Sequence, residues 1–282
     1  MSADIQWYPA PGKLNLFLHI VGRRADGYHL LQTAYRLIDR ADRVGVRIRD
    51  DGRILRTLDT PGVAEADDLC LRAAWKLKRH TGTRQGAELA LEKLLPIGGG
   101  LGGGSSDAAT VLIVLNHLWD LKLPRAELLQ LALELGADVP AFVFGGNAIG
   151  EGIGERLTAL ALPPAWYLVL TPQVSVSTKE IFTHDALTRD GKTLNISRFF
   201  AAQGGNDLES AACRLYPAVA EHLAWLRRHG DARMTGSGGC VFAEHASESG
   251  ARALHRQLPH DMKGFVARGL ERHPLADWIA DR

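Results

Sequence analysis

Residues 13–21 alternate, with Leu14, Leu16, Leu18 and Ile20 on one face and Asn15, Phe17 and His19 on the other. That period of two predicts a half-buried strand, closed over 22–27 by turn formers that carry Arg23 and Arg24. Tyr28 and His29 follow directly. A polar, turn-rich stretch over 53–66 gives way to a helical period over 69–77 that ends near Gly82, and alternation over 88–95 predicts another strand. Ala108, Val111, Leu112, Leu115, Leu118 and Trp119 then recur at helical spacing. A second helix over 124–135 has Pro124 in its first turn and Gly136 at its end, with Asp138 two residues beyond.

The pattern changes after a glycine-rich connection over 145–154, and the pair Pro163 and Pro164 before a strand at 166–170 marks a seam near residue 160. Ser177 and Glu180 have capping-box spacing, and Asn206 with Asp207 would cap a helix over 208–215. A helix over 219–228, a strand, glycine turn and strand over 233–243, a helix near 247–257 and a strand near 264–268 complete the chain. The expected fold is α+β, in two domains covering 1–160 and 161–282, without internal repeats.

Composition sharpens this picture by exclusion. With 33 Lys and Arg against 32 Asp and Glu, no net field draws nucleic acid or an anionic membrane, so any polyanion site must be local. The start, Met1, Ser2, Ala3 and Asp4, lacks a basic then apolar pattern, and no apolar run is long enough to span a bilayer. A cytoplasmic enzyme with a small-molecule substrate is the expectation, with the oligomeric state left open. Cys70, Cys213 and Cys240 are odd in number and far apart, which suits small core residues better than disulfides or a thiolate metal site. The eleven histidines show no paired metal-ligand spacing.

One stretch is chemically distinctive. Pro96, Ile97, Gly98, Gly99, Gly100, Leu101, Gly102, Gly103, Gly104, Ser105, Ser106 and Asp107 place six glycines in seven positions immediately before a helix, with Ser105, Ser106 or Asp107 available as its cap. Glycines let backbone N–H groups close on an anion, and the helix start adds positive partial charge, so the natural guest is a phosphate chain. A plain turn needs one or two glycines rather than six. The P-loop pattern fails because no Lys follows the glycines, and the HRD and DFG tripeptides of protein kinases are absent. Gly98, Gly100 and Gly103 formally satisfy a dinucleotide fingerprint, but they follow Pro96 far from the amino terminus and no strand-terminal acid follows about 20 residues on.

The run from Pro96 to Asp107 resembles the second motif of the superfamily of galactokinase, homoserine kinase, mevalonate kinase and phosphomevalonate kinase. The segments at 11–29, 135–143 and 233–244 resemble, in matching order, the branch of that superfamily acting on 4-diphosphocytidyl-2-C-methyl-D-erythritol. The resemblance implies an ATP-binding first domain, a ferredoxin-like second domain and a substrate cleft between them. It also implies phosphorylation of the 2-hydroxyl of that substrate, a step of the non-mevalonate route to isoprenoid precursors.

Residue roles follow from the same resemblance. Lys13 and Asp138 match the catalytic pair; taken alone, the first reads as a solvated turn lysine and the second as a helix cap. Phosphoryl transfer needs a cation near the transferred group and an acceptor for the hydroxyl proton, and an ordinary carboxylate orients the nucleophile and takes its proton late rather than deprotonating it outright. Tyr28, His29 and Phe182 match the cytidine pocket, whereas alone they read as two core aromatics and a surface histidine. Asn15 and Thr178 match positions contacting polar groups of the substrate, and Thr235, Gly236, Ser237, Gly238 and Gly239 match a wall of the phosphate site. Mg²⁺ is expected with ATP, and Ser105, Ser106 and Asp107 are near enough to contribute without one being singled out. Asp67, Asp68 and Asp107 stand where the family often has Asn, replacing amides by acids that still accept hydrogen bonds, and Gly12 stands where Ala is common. Alternatives at this point are another kinase of the superfamily, a nucleotide-responsive binding protein without catalysis, and a dinucleotide oxidoreductase.

Overall fold

In the computed structural model, residues 4–25, 27–57, 64–184, 187 and 205–280 are described. Met1 to Ala3, Asp26 of the arginine-bearing loop and 58–63 of the turn-rich stretch lie outside them. Strand β1 (Gln6–Arg23) is longer than its alternating core predicts, and it pairs antiparallel with β2 (His29–Arg49). The expectation of a half-exposed strand fails for a physical reason. Tyr8 and Ala10 belong to one apolar core, Leu14, Leu16 and Phe17 to a second, and Leu18 and Ile20 to a third, so β1 is covered on both faces. Register shifts between Pro11 and Lys13, and between Asn15 and Leu18, kink the ladder on either side of Lys13 and Asn15, as bulges beside functional sites commonly do.

The first sheet runs β3 (Ile54–Arg56), β4 (Gly86–Glu92), β2, β5 (Ala148–Gly152), β6 (Arg156–Ala159), with β1 on β2. Helices α1 (Leu69–Thr81), α2 (Gly103–Leu118), α3 (Arg125–Leu133) and the short α4 (Val139–Val143) cover it. Every α2 residue from Ser106 to Asn116 is buried, which makes α2 the central helix of that layer.

The second sheet is antiparallel in the order β10 (Gly264–Arg268), β7 (Trp166–Leu170), β9 (Val241–His245), β8 (Ala232–Met234). With α5 (Thr178–Thr183), α6 (Glu209–Leu215), α7 (Pro217–Arg227) and α8 (Glu248–His255), it forms a ferredoxin-like unit. Ser177 caps α5 through the Glu180 N–H as its spacing predicts, but the Glu180 carboxylate accepts from the Tyr216 hydroxyl at 2.7 Å. Asn206 accepts from the Leu208 N–H ahead of α6, while Asp207 turns away to accept from the Ile20 N–H and contact His19.

Tyr167, Val169 and Phe242 of the second sheet pack with Leu14, Phe17 and Ile149 of the first in one apolar cluster, which fixes the two layers against each other. Beyond β10 the chain returns to the first layer: Gly269 bridges Ile38, Arg272 bridges Gly146 and Ala280 bridges Pro124. Cys70 and Cys240 are buried as expected, whereas Cys213 is half-buried beside the second layer's core. Among the described residues no helix is long and apolar enough to cross a membrane.

Candidate active site

The glycine run opens α2, but by a different device from the side-chain cap expected. Gly102, at φ 70°, is the cap residue, and no side chain bonds the first turn. Ser106 lies inside the helix, its hydroxyl donating to the Pro11 carbonyl at 2.7 Å, and Asp107 is buried one residue further. The first N–H groups of α2 are thereby left for a ligand. The glycines also serve packing. A Cβ on Gly100 would lie 2.2 Å from the Thr235 carbonyl oxygen, and one on Gly102 would lie 2.9 Å from the Phe142 ring and 3.1 Å from Lys13 Cε. The loop is thus wedged between β1 and the second glycine turn. Cys240 N–H donates to Gly99 O at 3.0 Å, and Lys13 N–H donates to Leu101 O at 2.9 Å.

Lys13 is not a solvated turn lysine. It is 2% exposed, donates to Asn15 Oδ1 at 2.5 Å and lies 3.4 Å from Asp138 Oδ2. Asn15 is itself fixed: its side-chain amide donates to Thr33 Oγ1 at 2.8 Å, and its N–H to Thr235 Oγ1 at 2.9 Å. Through Thr235, the second layer's glycine turn sets the position of the first layer's lysine. Asp138 is the N-cap residue of α4 by position, as its place in the sequence suggests, but its side chain makes no capping bond. Its carboxylate stands at the cleft with Lys13 on one oxygen and the Tyr35 hydroxyl, at 3.3 Å, on the other.

A cleft of about 970 Å³ gathers nearly all the expected residues: Lys13, Asn15, Tyr28, His29, the loop from Pro96 to Ser105, Asp107, Asp138, Thr178, Phe182, Gly236 and Ser237. Ser106, Thr235, Gly238 and Gly239 are not among its walls, and Gly238 instead backs onto Met234, Ala212 and Val176. The His29 and Phe182 rings face each other with centroids 5.1 Å apart, and Tyr28 is 60% exposed, so it is no core aromatic. Thr178 and Ser237 join hydroxyls at 2.7 Å across the cleft wall.

Two features of the site went unread in the sequence. The first is Tyr35, in the middle of β2. The second is Lys93, which sits beneath Gly103 between Asp107 Oδ2, at 2.7 Å, and Asp42. Asp42 is fully buried and also accepts the Leu95 N–H at 2.7 Å, so a charged bridge anchors the approach to the glycine loop. Burial pushes the Asp107 carboxyl up to about 7, and the nearby Asp42 adds to the rise against the pull of Lys93. Asp68 has an identifiable reason to be an acid. It caps α1 by accepting the Cys70 N–H at 2.8 Å and pairs with Arg56 at 3.3 Å.

A carboxyl whose folded pKa lies above its unfolded value holds its proton more tightly in the folded protein. The Asp107 contribution to stability is therefore present in acid, below the unfolded value of about 4, and is lost as pH rises through about 7. The Asp107→Asn protein is expected to lose less of its unfolding midpoint between pH 5 and pH 8 than the parent does. Thermal unfolding at both pH values measures it, and equal slopes would remove Asp107 as the source.

Residues 68–146 match the family described as GHMP kinases N terminal domain, and residues 184–264 match GHMP kinases C terminal. The chain belongs to the GHMP kinase family, small-molecule phosphotransferases. It is 60% identical over 273 residues to the 4-diphosphocytidyl-2-C-methyl-D-erythritol kinase of Nitrosospira multiformis, covering 96% of this chain and 93% of that one. It is 56% identical over 276 residues to the enzyme of that name from Thiobacillus denitrificans, covering 98% and 99%. A crystal structure of 4-(cytidine 5'-diphospho)-2C-methyl-D-erythritol kinase superposes with a TM-score of 0.82 at 34% identity, over 94% of this chain and 99% of that one. Within the GHMP kinases, the chain is thus a member of the 4-diphosphocytidyl-2-C-methyl-D-erythritol kinase family. The homoserine kinase of Cytophaga hutchinsonii, at 18% identity and a TM-score of 0.70 over 96% of each chain, shares the fold.

Proposed function

We propose that this protein transfers the γ-phosphoryl group of ATP to the 2-hydroxyl of 4-diphosphocytidyl-2-C-methyl-D-erythritol, on the non-mevalonate route and in the cytoplasm. One observation carries the reading. The Lys13 and Asp138 pair, 3.4 Å apart, lies in a single cleft with the glycine loop and the His29 and Phe182 rings. The triphosphate lies along the loop against the start of α2, the cytosine stacks against Tyr28 and Phe182 with its edge read by His29, and the acceptor hydroxyl falls beside Asp138.

In this reading Asp138 orients the hydroxyl and takes its proton as the new P–O bond forms. Lys13 neutralises charge on the transferring group, and Asn15 holds Lys13 in place. Residues 1–160 form the ATP-binding domain and 161–282 carry the ferredoxin-like one, with the division between β6 and β7 and the segment after β10 returning to pack on the first layer. Mg²⁺ bound with ATP would offset negative charge on the phosphates. The Ser106 hydroxyl is engaged by Pro11, which leaves the Ser105 hydroxyl, on the cleft wall, and Asp107 Oδ1, which has no hydrogen-bond partner among the described residues, as the oxygens able to hold the ion beside the phosphates.

The test is ADP release with ATP, Mg²⁺ and 4-diphosphocytidyl-2-C-methyl-D-erythritol, beside the same polyol phosphate lacking the cytidylyl group. Turnover of the cytidylyl compound alone supports both the kinase reading and the pocket. Equal turnover of the two sinks the pocket, and absence of both sinks the substrate. For the pocket itself, Phe182→Leu is expected to raise KM for the cytidylyl substrate about tenfold by removing a stacking face, while KM for ATP stays as it was. Steady-state kinetics with each substrate varied in turn checks it.

A further inference from the structure

We propose that Tyr35 is a positioning residue for phosphoryl transfer: its hydroxyl holds one oxygen of Asp138, which keeps the other oxygen turned toward Lys13 and the acceptor. The inference rests on the reading of Asp138 as the group that orients the acceptor and takes its proton. Tyr35 lies in the middle of β2, paired with Asn15 of β1 on one side and Ala148 of β5 on the other, so its backbone is held by ladders on both edges. The side chain is 2% exposed and donates to Asp138 Oδ1 at 3.3 Å, while Lys13 Nζ lies 3.4 Å from Oδ2. Each carboxylate oxygen therefore has its own partner. The Lys13 ammonium also sits 5.7 Å from the centre of the Tyr35 ring, so one side chain touches both members of the catalytic pair.

Burial and the neighbouring Asp138 charge hold the Tyr35 phenol well above its ordinary pKa, so the hydroxyl stays a donor. The Asp138 side chain is 38% exposed and makes no capping bond of its own, so without the phenol only the Lys13 contact, at 3.4 Å, would fix the rotation of its carboxylate. The glycine-rich connection over 145–154 acquires a purpose here. A Cβ on Gly150 would lie 2.6 Å from the Tyr35 ring, and one on Gly154 would lie 2.5 Å from the Tyr35 hydroxyl. Both positions are bare where the phenol has to reach Asp138.

The experiment compares Tyr35→Phe, Asp138→Asn and the double variant in the full-length protein, with kcat and both KM values measured. Tyr35→Phe is expected to lower kcat about tenfold, the scale of one hydrogen bond to a charged group, with both KM values within about twofold of the parent. In the Asp138→Asn background the same change is expected to cost nothing further, a non-additivity that a general packing defect would not produce. Gly154→Ala, which would push the hydroxyl aside, is expected to reproduce the fall in kcat, and thermal midpoints report whether each variant is folded. Unimpaired turnover of Tyr35→Phe beside a disabled Asp138→Asn overturns the inference alone, as does a tenfold loss in both backgrounds. Full activity of Asp138→Asn overturns the role of Asp138 and this inference with it.

Discussion

Asp138→Asn is expected to lower kcat about a thousandfold while both KM values stay within about threefold of the parent. The amide has the size of the carboxylate and can still accept from Tyr35 or Lys13 through its carbonyl oxygen, so the cleft keeps its shape. What it loses is a site for the proton of the acceptor hydroxyl. That proton must leave as the P–O bond forms, so the missing interaction belongs to the transition state and appears in kcat. Initial rates with each substrate at saturation measure it. A fall confined to KM would make Asp138 a substrate-binding group, and an unchanged kcat would remove it from the mechanism.

Gly100→Ala is expected to destabilise the fold by about 3 kcal/mol and to raise KM for ATP more than tenfold in whatever protein remains folded. Two costs coincide at this position. Its φ of 76° lies in the left-handed region, and the added methyl would lie 2.2 Å from Thr235 O and 3.0 Å from Gly238 O, both of them backbone atoms in a turn that cannot swing away. Relief requires the glycine loop to separate from the second turn, which moves the start of α2 and disturbs Thr235, the residue that orients Asn15 and through it Lys13. Chemical denaturation gives the stability change and ATP titration of initial rates gives KM. Gly104→Ala is the control: its added methyl would meet only Leu69 Cδ1 at 3.7 Å, and stability is expected to change by less than about 1 kcal/mol. Equal effects at the two positions would mean that the loop tolerates a side chain at Gly100.

Much of the site was legible in the chain because it is built from local signals. Six glycines before a helical period state both a tight backbone and a helix start, and Ser177 with Glu180 states a helix boundary. The resemblance then attached roles to Lys13, Asp138, Tyr28, His29 and Phe182, and the structure brings those five residues to one cleft. Periodicity failed where burial comes from elements distant in sequence. It predicts one exposed face for β1 because alternation reports side-chain spacing and says nothing about a second layer arriving from residues 166–170 and 241–245. The same limit hid the cap of α2. Ser105, Ser106 and Asp107 are cap formers by type, but the long contacts to Pro11 and Lys93 draw Ser106 and Asp107 into the helix and leave Gly102 at its start.

By itself, then, the sequence determined the α+β alternation, the phosphate-binding loop and, through resemblance, the catalytic pair and the kind of acceptor it serves. Tertiary structure decided how that pair is held. Tyr35, Thr235 and Lys93 lie, respectively, 103 residues from Asp138, 220 from Asn15 and 14 from Asp107; Tyr35 and Lys93 carry no local signature, and the motif that holds Thr235 does not state its contact with Asn15. A hydrogen bond or buried ion pair between such residues depends on the register of β1 on β2 and on the closure of one layer over the other. Those arrangements arise when three separate apolar cores condense together, and no window along the chain encodes them.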